Sequence, residues 1–351
     1  MVNIVTHRDA LARKMVTLPH GSGGASSREL TELVFKAGFK DRLLFDEEDG
    51  GRFASRQEGM AVSTDSYIIE PIFFEGGDIG KLSICGSAND CTVSGAAPKY
   101  FTLGFIIEEG FLIQDLKTIV DSIYTELKKL DAYILSADTK VVPRFSKLDK
   151  QRSQIFINST CMGEIIRPNL SAKNLEVGNK IILTSDIGRH GATIFVAQND
   201  LQIDSTLKSD CFSLWLLLED LLKSDLQIHA LRDATRGGIA SALNEWATSS
   251  KVSIELNEAS IKIESEVLGI CEILGLEPFV LANEGACLIS VSAKDATKTL
   301  ELLNSSPYGK KAHMVGEVVP SKSRDAVILQ NSFGSKRYLE YPQGEILPRI
   351  C

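Results

Sequence analysis

The sequence predicts an α+β protein made of two domains. The chain has 351 residues, and at roughly 150 residues per domain this length suggests two domains, each large enough to bury a core. Between residues 60 and 165, apolar patterns typical of strands and helices follow the order β-α-β-α-β-β. A second unit that mixes helices and strands begins at residue 179. These observations predict two consecutive α+β units.

The N-terminal domain is predicted to span residues 41–168, after a flexible glycine-containing leader over residues 1–40. Its longest helix is indicated by an apolar stripe at helical spacing, which ends at Lys128 and Lys129, where positive charge suits the helix dipole. A helix with many small residues precedes it. The predicted strands are 60–69, 100–107, 133–142 and 154–165, and the predicted helices are 79–93 and 112–130.

The C-terminal domain is predicted to span residues 169–330 and to form an α/β sandwich. Ser63-Thr-Asp65 and Thr184-Ser-Asp186 each close a strand, which is a weak indication of internal duplication. Chance similarity is the stronger explanation. The predicted helices are 191–198, 210–223, 238–248 and 264–274, and the predicted strands are 179–185, 252–256, 286–292 and 312–318.

Residues 331–351 are predicted to form a flexible C-terminal tail, because the segment is irregular and rich in Pro, Gly and aromatic residues. The tail carries Cys351. A prenylation motif needs its cysteine fourth from the end, so that modification is excluded. A thiolate is the nucleophilic form of cysteine, and on a flexible arm it could carry a covalently attached group between sites. The alternative is that a cysteine stands there by accident.

Charge and cysteine content narrow the possible functions. With 38 Lys and Arg against 46 Asp and Glu, the formal net charge is −8, which disfavours non-specific binding to nucleic acids or anionic membranes. No apolar stretch approaches the roughly 20 residues of a membrane helix, and the N-terminus lacks the apolar region of a signal peptide. Seven widely spaced cysteines without a C-x-x-C pair indicate reduced thiols. We therefore expect a cytoplasmic protein.

The sequence lacks the usual glycine-rich phosphate loops. Residues 76–81 are one residue short of a Walker A loop, and there is no G-x-G-x-x-G motif. A bound nucleotide would therefore need Mg²⁺, which prefers oxygen ligands and shares phosphate oxygens. An isolated Asp is more often a solvated surface group, and Asn89-Asp90 could equally be a buried hydrogen-bonding pair. The candidate ligands are Asp49, Asp65, Asn89, Asp90 and Asp138.

The segment from Asp233 to Gly238 precedes a helix with apolar periodicity. Arg236 in the first turn would oppose the helix dipole unless an anion lies there, and Gly237 and Gly238 would let backbone N–H groups approach that anion closely. The segment therefore predicts a phosphate at a helix N-terminus. An ordinary helix with a Thr cap is the alternative.

Two other short segments could carry chemistry. Lys140 follows Asp138 by two positions, so in a strand both point to one face, and the lysine could neutralise a transferring phosphate. Asn283-Glu284-Gly285 lies between two predicted apolar strands, and a carboxylate held in such a turn could act as a base. An ordinary turn is equally consistent with this composition.

These motifs together resemble the hydrogenase maturation factors of the HypE family, which are carbamoyl dehydratases in the PurM-like ATP-binding superfamily. The resemblance covers nearly the whole chain. Its specific parts are the Phe-Phe-x-Gly-Gly-Asp-Ile-Gly run and the terminal Pro-Arg-Ile-Cys, and superfamily relatives share the rest. The matching segments begin at His20, Ser63, Phe73, Asn89, Asp138, Asp233, Asn283 and Pro348.

The resemblance implies a two-domain PurM-like fold whose N-terminal domain pairs in a homodimer, with ATP bound between the subunits. It implies that a HypF-type carbamoyltransferase S-carbamoylates Cys351 and that ATP phosphorylates the amide oxygen. Loss of phosphate and protons then leaves a thiocyanate, whose cyanide passes to a HypC–HypD complex for [NiFe]-hydrogenase assembly. The implied cofactors are ATP and Mg²⁺.

The resemblance also assigns roles to individual residues. Asp65, Asp90 and Asp233, with Asp49 less firmly, would hold Mg²⁺. Lys140 would stabilise the transferring phosphoryl group, and Glu284 would be the base. Nucleotide and phosphate contacts are predicted at Gly21, Gly23, Gly24, Asn89, Asp138, Thr139, Arg236, Gly237 and Gly238.

Some features leave other functions open. A non-catalytic carrier or scaffold of the same fold is one alternative, and a superfamily enzyme such as an aminoimidazole-ribonucleotide synthetase or a selenophosphate synthetase is another. A selenophosphate synthetase would need a reactive cysteine near the N-terminal glycines, whereas the first cysteine here is Cys85. The positions that depart from the family pattern are Ala25, Cys91, Thr92, Ala137 and Ala286.

Overall fold

The computed structural model describes residues 15–17, 30–42, 59–144, 154–199, 206–309, 311–322 and 324–342. These residues form two units of mixed helices and strands, as the sequence predicts. No helix within these ranges combines the length and the hydropathy that a membrane span requires.

The N-terminal unit has the predicted β-α-β-α-β-β order, with a small hairpin inserted before the first helix. Its elements are β1 (Met60–Tyr67), β2 (Phe73–Phe74), β3 (Gly77–Asp78), α1 (Ile79–Val93), β4 (Ala96–Glu108), α2 (Ile113–Leu130), β5 (Tyr133–Val142) and β6 (Ile155–Ile165). The hairpin is formed by β2 and β3. The main sheet has the order β1-β6-β4-β5, in which β4 and β5 are parallel and the other neighbours antiparallel.

The helices of the described residues cover one face of this sheet. Helix α1 packs against β1, β4 and β6, and α2 packs against α1. Along β1, Tyr67 is buried on the covered face, whereas Val62 and Thr64 are exposed on the other, as the alternation of side chains along a strand requires. Within the described ranges, no element covers this second face.

Residues 76–81, which are one residue short of a Walker A loop, form the turn of the hairpin and the N-terminal cap of α1. The Asp78 carboxylate accepts hydrogen bonds from the backbone N–H groups of Gly80 and Lys81, at 2.7 and 2.9 Å, and so caps the helix N-terminus. Gly76 has φ +98°, and a Cβ there would lie 2.8 Å from the Ser209 carbonyl oxygen. The hairpin is therefore pressed onto a segment of the C-terminal unit, and only glycine fits at its turn.

The C-terminal unit is built on a seven-stranded sheet. Its elements are β7 (Lys180–Leu183), α3 (Arg189–Gln198), α4 (Trp215–Lys223), β8 (Ile228–Asp233), α5 (Gly238–Ser250), β9 (Ser253–Asn257), α6 (Ser265–Leu274), β10 (Cys287–Val291), α7 (Ala296–Ser305), β11 (His313–Val319), β12 (Val327–Gln330) and β13 (Lys336–Tyr338). The strands have the order β13-β12-β9-β11-β7-β10-β8.

Helices lie on both faces of this sheet, which gives the predicted sandwich. Successive residues of β7 belong to different cores. Ile181 lies in a core with Trp246 of α5, and Ile182 lies in one with Leu218 of α4. Helix α4 also packs against α1, α2 and β4. The core on the α4 side of the sheet therefore continues into the N-terminal unit.

The structure differs from the predicted elements in the C-terminal unit. The helix predicted over 210–223 begins only at Trp215, and residues 206–214 run without regular structure along the N-terminal unit. Strands β8, β12 and β13 and helix α7 were not predicted. The first three are short, with only three to six residues, so they carry little periodic signal.

The predicted leader and tail are both more ordered than expected. Val16 is fully buried, and residues 30–42 form helical turns that place Phe39 against α2. At the other end β13 pairs with β12, and Leu339 is buried. An irregular tail therefore does not begin at residue 331, because the chain first adds a strand to the sheet edge.

Candidate functional site

Four carboxyl groups meet between the two units. Asp65 lies near the end of β1, Asp90 in the last turn of α1, Asp233 at the end of β8, and Glu284 in the loop before β10. The charge of Asp65 acts on each of the other three. The sequence places Asp65 at a strand end, Asp90 on a helix of small residues, Glu284 in a turn and the fourth acid before a helix, and the fold brings them together.

Burial and mutual repulsion make Asp90, Asp233 and Glu284 reluctant to ionise. Burial raises the pKa of Asp90 to about 7, and the charges of Asp233 and Asp65 add to the shift. Burial also raises the pKa of Asp233, against the opposing effect of Arg232. The pKa of Glu284 lies well above its usual range because of burial first and the charge of Asp233 second. When ionised, the cluster would therefore hold more negative charge than its own arginines offset.

This excess charge fits a hard cation. Among the described residues, however, no group of three or more His, Cys, Asp or Glu side chains is arranged as a complete metal cage. Mg²⁺ commonly takes only one or two carboxylates and completes its shell with water and nucleotide phosphates. Asp65, Asp90 and Asp233 therefore remain the predicted metal ligands, and Asp49 lies outside the described residues.

The Asp90→Asn variant is expected to bind ATP in the presence of Mg²⁺ at least tenfold more weakly. Its thermal midpoint above pH 7 should stay the same or rise, because a carboxyl group whose pKa is raised by folding costs stability as pH climbs from its usual pKa to the raised one, and the full cost is present above that. Titration calorimetry and thermal unfolding measure the two effects. Asp121→Asn, in an exposed pair with Lys117, is the control, and unchanged ATP affinity of Asp90→Asn would remove Asp90 from the site.

Hydrogen bonds and close packing hold the Asn283–Gly285 turn in place. The Asn283 side chain accepts a hydrogen bond from the Gly188 N–H at 2.6 Å and donates to the Ala234 carbonyl at 2.8 Å. Gly285 lies so close to Asp210 that a Cβ would overlap the Asp210 carbonyl oxygen. A 3₁₀ turn rather than the expected strand precedes this segment. The turn thus holds Glu284 at the domain junction.

The side chain of Asn89 joins the two units by hydrogen bonds, and its contact with phosphate stays a prediction. Its amide nitrogen donates to the carbonyl oxygens of Phe212 and Glu284, at 3.1 and 3.3 Å, and its amide oxygen accepts from the Leu214 N–H at 2.7 Å. Both amide hydrogens and the oxygen are thus engaged with the C-terminal unit. Of the two interpretations of Asn89, the structure supports the buried hydrogen-bonding one.

The glycines at the start of α5 are required by packing and backbone conformation. Gly237 and Gly238 have φ values of +73° and +58°, and a Cβ on Gly238 would lie 2.6 Å from the Leu281 carbonyl oxygen. The Gly238 N–H donates to the Thr235 carbonyl at 3.0 Å, so it is not an open donor for phosphate. Gly237 is the N-cap and no side chain caps the helix, so the Thr-capped alternative is wrong. The Arg236 charge acts on Asp90 and Asp233, and its contact with phosphate stays a prediction.

Asp138 and Lys140 lie away from the four carboxyl groups. They form an exposed ion pair of 3.0 Å on β5, on one face as predicted. Strand β5 is at the opposite sheet edge from β1, and the strand registers place both residues on the open face, opposite to Asp65. Thr139 points the other way. Within one chain, the structure does not bring Lys140 to the carboxyl groups.

The last described residues of the chain lie beside the start of α5. The Asn244 amide donates to the Leu339 carbonyl at 2.8 Å, and a Cβ on Gly237 would lie 3.1 Å from Pro342. The described part of the chain therefore ends beside Gly237, which follows Asp233 by four positions. Cys351 lies outside the described residues, as do Gly21, Gly23, Gly24 and Ala25.

The positions that depart from the family pattern are accommodated by packing. Cys91, Thr92 and Ala286 are buried, and the Thr92 hydroxyl donates to the Ala88 carbonyl one turn earlier, at 2.7 Å. Ala137 is partly buried on the face of β5 opposite to Asp138. All six described cysteines are free thiols and buried, as the sequence predicts for these six.

Comparisons with known proteins cover almost the whole chain. Residues 47–165 match the N-terminal domain model of AIR synthase related proteins, and residues 176–328 match the C-terminal domain model. Carbamoyl dehydratase HypE of Escherichia coli K12 is 42% identical over 96% of this chain and 99% of its own length, and the Rhodobacter capsulatus protein of that name is 37% identical over 97% and 100%.

Solved structures also match the chain along nearly its whole length. A crystal structure of hydrogenase maturation protein HypE in complex with ATP superposes with a TM-score of 0.89 at 35% identity, covering 95% of this chain and 99% of the other. A HypE–HypF complex structure superposes with a TM-score of 0.77 at 36% identity, covering 91% and 100%. These structures share both the fold and the order of domains described above.

Proposed function

The chain belongs to the carbamoyl dehydratase HypE family, whose members match it along nearly their full length, and on this basis we propose that it dehydrates a carbamoyl group carried by its own Cys351. The product is a thiocyanate on that cysteine, which supplies the cyanide ligand for [NiFe]-hydrogenase assembly. The observation that carries this proposal is the position of Pro342 beside Gly237, which follows Asp233 by four positions. Cys351 follows Pro342 by nine positions, and an extended chain of that length spans about 30 Å.

The chemistry requires activation of a poor leaving group. The carbamoyl oxygen attacks the γ-phosphorus of ATP and displaces ADP, while one N–H proton leaves. The C–O bond of the phosphorylated intermediate then breaks, inorganic phosphate departs, and the second N–H proton is lost to form C≡N. The sum converts S-carbamoyl and ATP to thiocyanate, ADP, phosphate and a proton.

The residues of this chain divide these tasks. Asp65, Asp90 and Asp233 would hold Mg²⁺, which when bound with ATP would offset charge on the phosphates. Glu284 takes a proton from the carbamoyl nitrogen, and its raised pKa makes its carboxylate a stronger base than an exposed one. Burial of Glu284 and Asp233 limits access of water to the intermediate.

Lys140 can reach this site only from a second copy of the chain. We therefore include a homodimer in the proposal, in which Lys140 of the partner subunit stabilises the transferring phosphoryl group. The open face of the N-terminal sheet supports this arrangement, because Val62 and Ile106 on that face are about half exposed or more. Exposed apolar area of this kind is stabilised by burial in an interface.

The Val62→Asp variant is expected to be monomeric, because a charge at the centre of an apolar interface is left without a partner. Light scattering coupled to size-exclusion chromatography measures the mass. Val177→Asp is the matched control, since Val177 is similarly exposed but lies in the C-terminal unit. A dimer that survives Val62→Asp would place the interface elsewhere.

The proposal includes three further partners and a compartment. A HypF-type carbamoyltransferase loads Cys351, which the existence of a HypE–HypF complex supports, and a HypC–HypD complex accepts the cyanide. The reaction takes place in the cytoplasm, where the six free thiols of the described residues would stay reduced.

Intact-protein mass spectrometry tests the function directly. The protein is incubated with the carbamoyltransferase, carbamoyl phosphate and ATP, with and without Mg²⁺, and the C-terminal peptide is mapped. We expect a carbamoyl adduct on Cys351 that loses one water only when Mg²⁺ and ATP are present. An unmodified Cys351 beside an active carbamoyltransferase would favour a scaffold role or another reaction of the superfamily.

A further inference from the structure

Asp210 was not among the candidate residues, yet it is the most strongly engaged acid near Glu284. It is buried and lies in the irregular segment before α4. One of its carboxylate oxygens accepts the Glu284 N–H at 3.1 Å, and the other accepts the Gly285 N–H at 3.0 Å. Arg189 lies close enough for the charges of Arg189 and Asp210 to act on each other.

The carbonyl of Glu284 is held from the other side. It accepts the Phe212 N–H at 3.1 Å and the Asn89 amide at 3.3 Å. Asn89 belongs to the N-terminal unit, whereas Asp210 and Phe212 belong to the C-terminal one. The peptide group between residues 284 and 285 is therefore tied to both units at once, and the Glu284 N–H is tied to the C-terminal unit.

The geometry points to a clamp: we propose that Asp210 and Asn89 are positioning residues that hold the backbone of Glu284, so that its carboxyl group faces the carbamoyl nitrogen only when the two units are joined. This inference rests on the proposed role of Glu284. Neither residue touches the reacting atoms. A small displacement of a general base lowers the rate strongly, because proton transfer needs hydrogen-bond distance.

Two observations distinguish a clamp from ordinary packing. A carboxylate that accepts two successive backbone N–H groups fixes the orientation of the peptide between them. Gly285 also lies against the Asp210 backbone with no room for a Cβ, so the turn has no space to shift. Both constraints act on residues 284 and 285 alone, next to the acidic cluster.

The Asp210→Asn variant tests the clamp, because an amide can accept only one of the two N–H groups. We expect hydrogen exchange of the Glu284 and Gly285 amides to accelerate at least tenfold. Thiocyanate formation from carbamoylated Cys351 should slow at least tenfold in single turnover, while the Kd for ATP stays within about twofold. Asp295→Asn is the matched control, since an Asp295 carboxylate oxygen likewise accepts a backbone N–H, that of Gln227 at 3.0 Å, at the other end of β10 from the turn.

Asn89→Ala serves as a second variant if Asp210→Asn does not fold. It should produce the same two changes from the other unit. Fast thiocyanate formation in a folded variant, or slow formation with unchanged exchange at residues 284 and 285, would overturn the clamp. If the wild-type protein forms no thiocyanate, the proposed function fails, while the exchange measurement still decides whether Asp210 and Asn89 hold the turn.

Discussion

The Cys351→Ala variant is expected to bind ATP with unchanged affinity and to form no thiocyanate. The reason is chemical, because alanine has no sulfur to which a carbamoyl group can be attached. The carboxyl groups that would hold Mg²⁺ and ATP lie in the described units and do not depend on the thiol. Isothermal titration measures the affinity for ATP, and mass spectrometry of the C-terminal peptide measures the product.

Cys271→Ala is the control for this experiment. Cys271 is a free cysteine whose thiol pKa is raised to about 11 by burial, so it is a poor nucleophile at neutral pH. We expect its removal to leave thiocyanate formation unchanged. Thiocyanate found on the Cys351→Ala protein would show that another thiol carries the substrate.

The Glu284→Gln variant is expected to lower the rate of thiocyanate formation by about 10²- to 10⁴-fold, which is the range that a positioned general base contributes. Glutamine keeps the size of the side chain and cannot accept the proton. ATP binding should weaken little, because repulsion within the cluster falls. Single-turnover kinetics on carbamoylated protein measure the rate.

The pH dependence gives an independent test of Glu284. A base acts only when it is deprotonated, so the wild-type rate should rise as pH increases through a pKa well above the usual range for Glu. Glu284→Gln should lose this rise. Glu126→Gln is the matched control, since Glu126 is also buried but pairs with Lys129 on α2. If Glu284→Gln keeps the full rate, the base is another group.

Local periodicity was sufficient to predict most of the fold. The N-terminal order was confirmed because its strands and helices are long and regular, such as β4 and α2. The helix predicted over 210–223 was wrong in its first part, although the apolar spacing there suits a helix. Asp210 uses its carboxylate to hold a turn 74 residues later in the chain, and this contact keeps the segment out of the helix.

The site was predicted in its components and only partly in its geometry. Asp65, Asp90 and Glu284 stand out in the sequence at a strand end, on a helix of small residues and in a turn. Asp233 stands out only as the start of the segment before α5, because strand β8 was not predicted. The partners of Asn89 lie 123 to 195 residues away, so no local pattern predicts them. The distance of Lys140 from the cluster follows from the strand order β1-β6-β4-β5, which the spacing of residues does not determine.

The attachment of the chain end beside α5 changes how the reaction must be measured. A thiol confined within about 30 Å of Pro342 is present at an effective concentration on the order of 10 mM. In the proposed reaction the carbamoyl group is supplied by the chain itself, so the rate should not depend on protein concentration once the homodimer has formed. A Michaelis constant exists for ATP and none for the carbamoyl group. Each protein molecule then turns over once until an acceptor removes the cyanide, so steady-state flux reports the transfer to that acceptor.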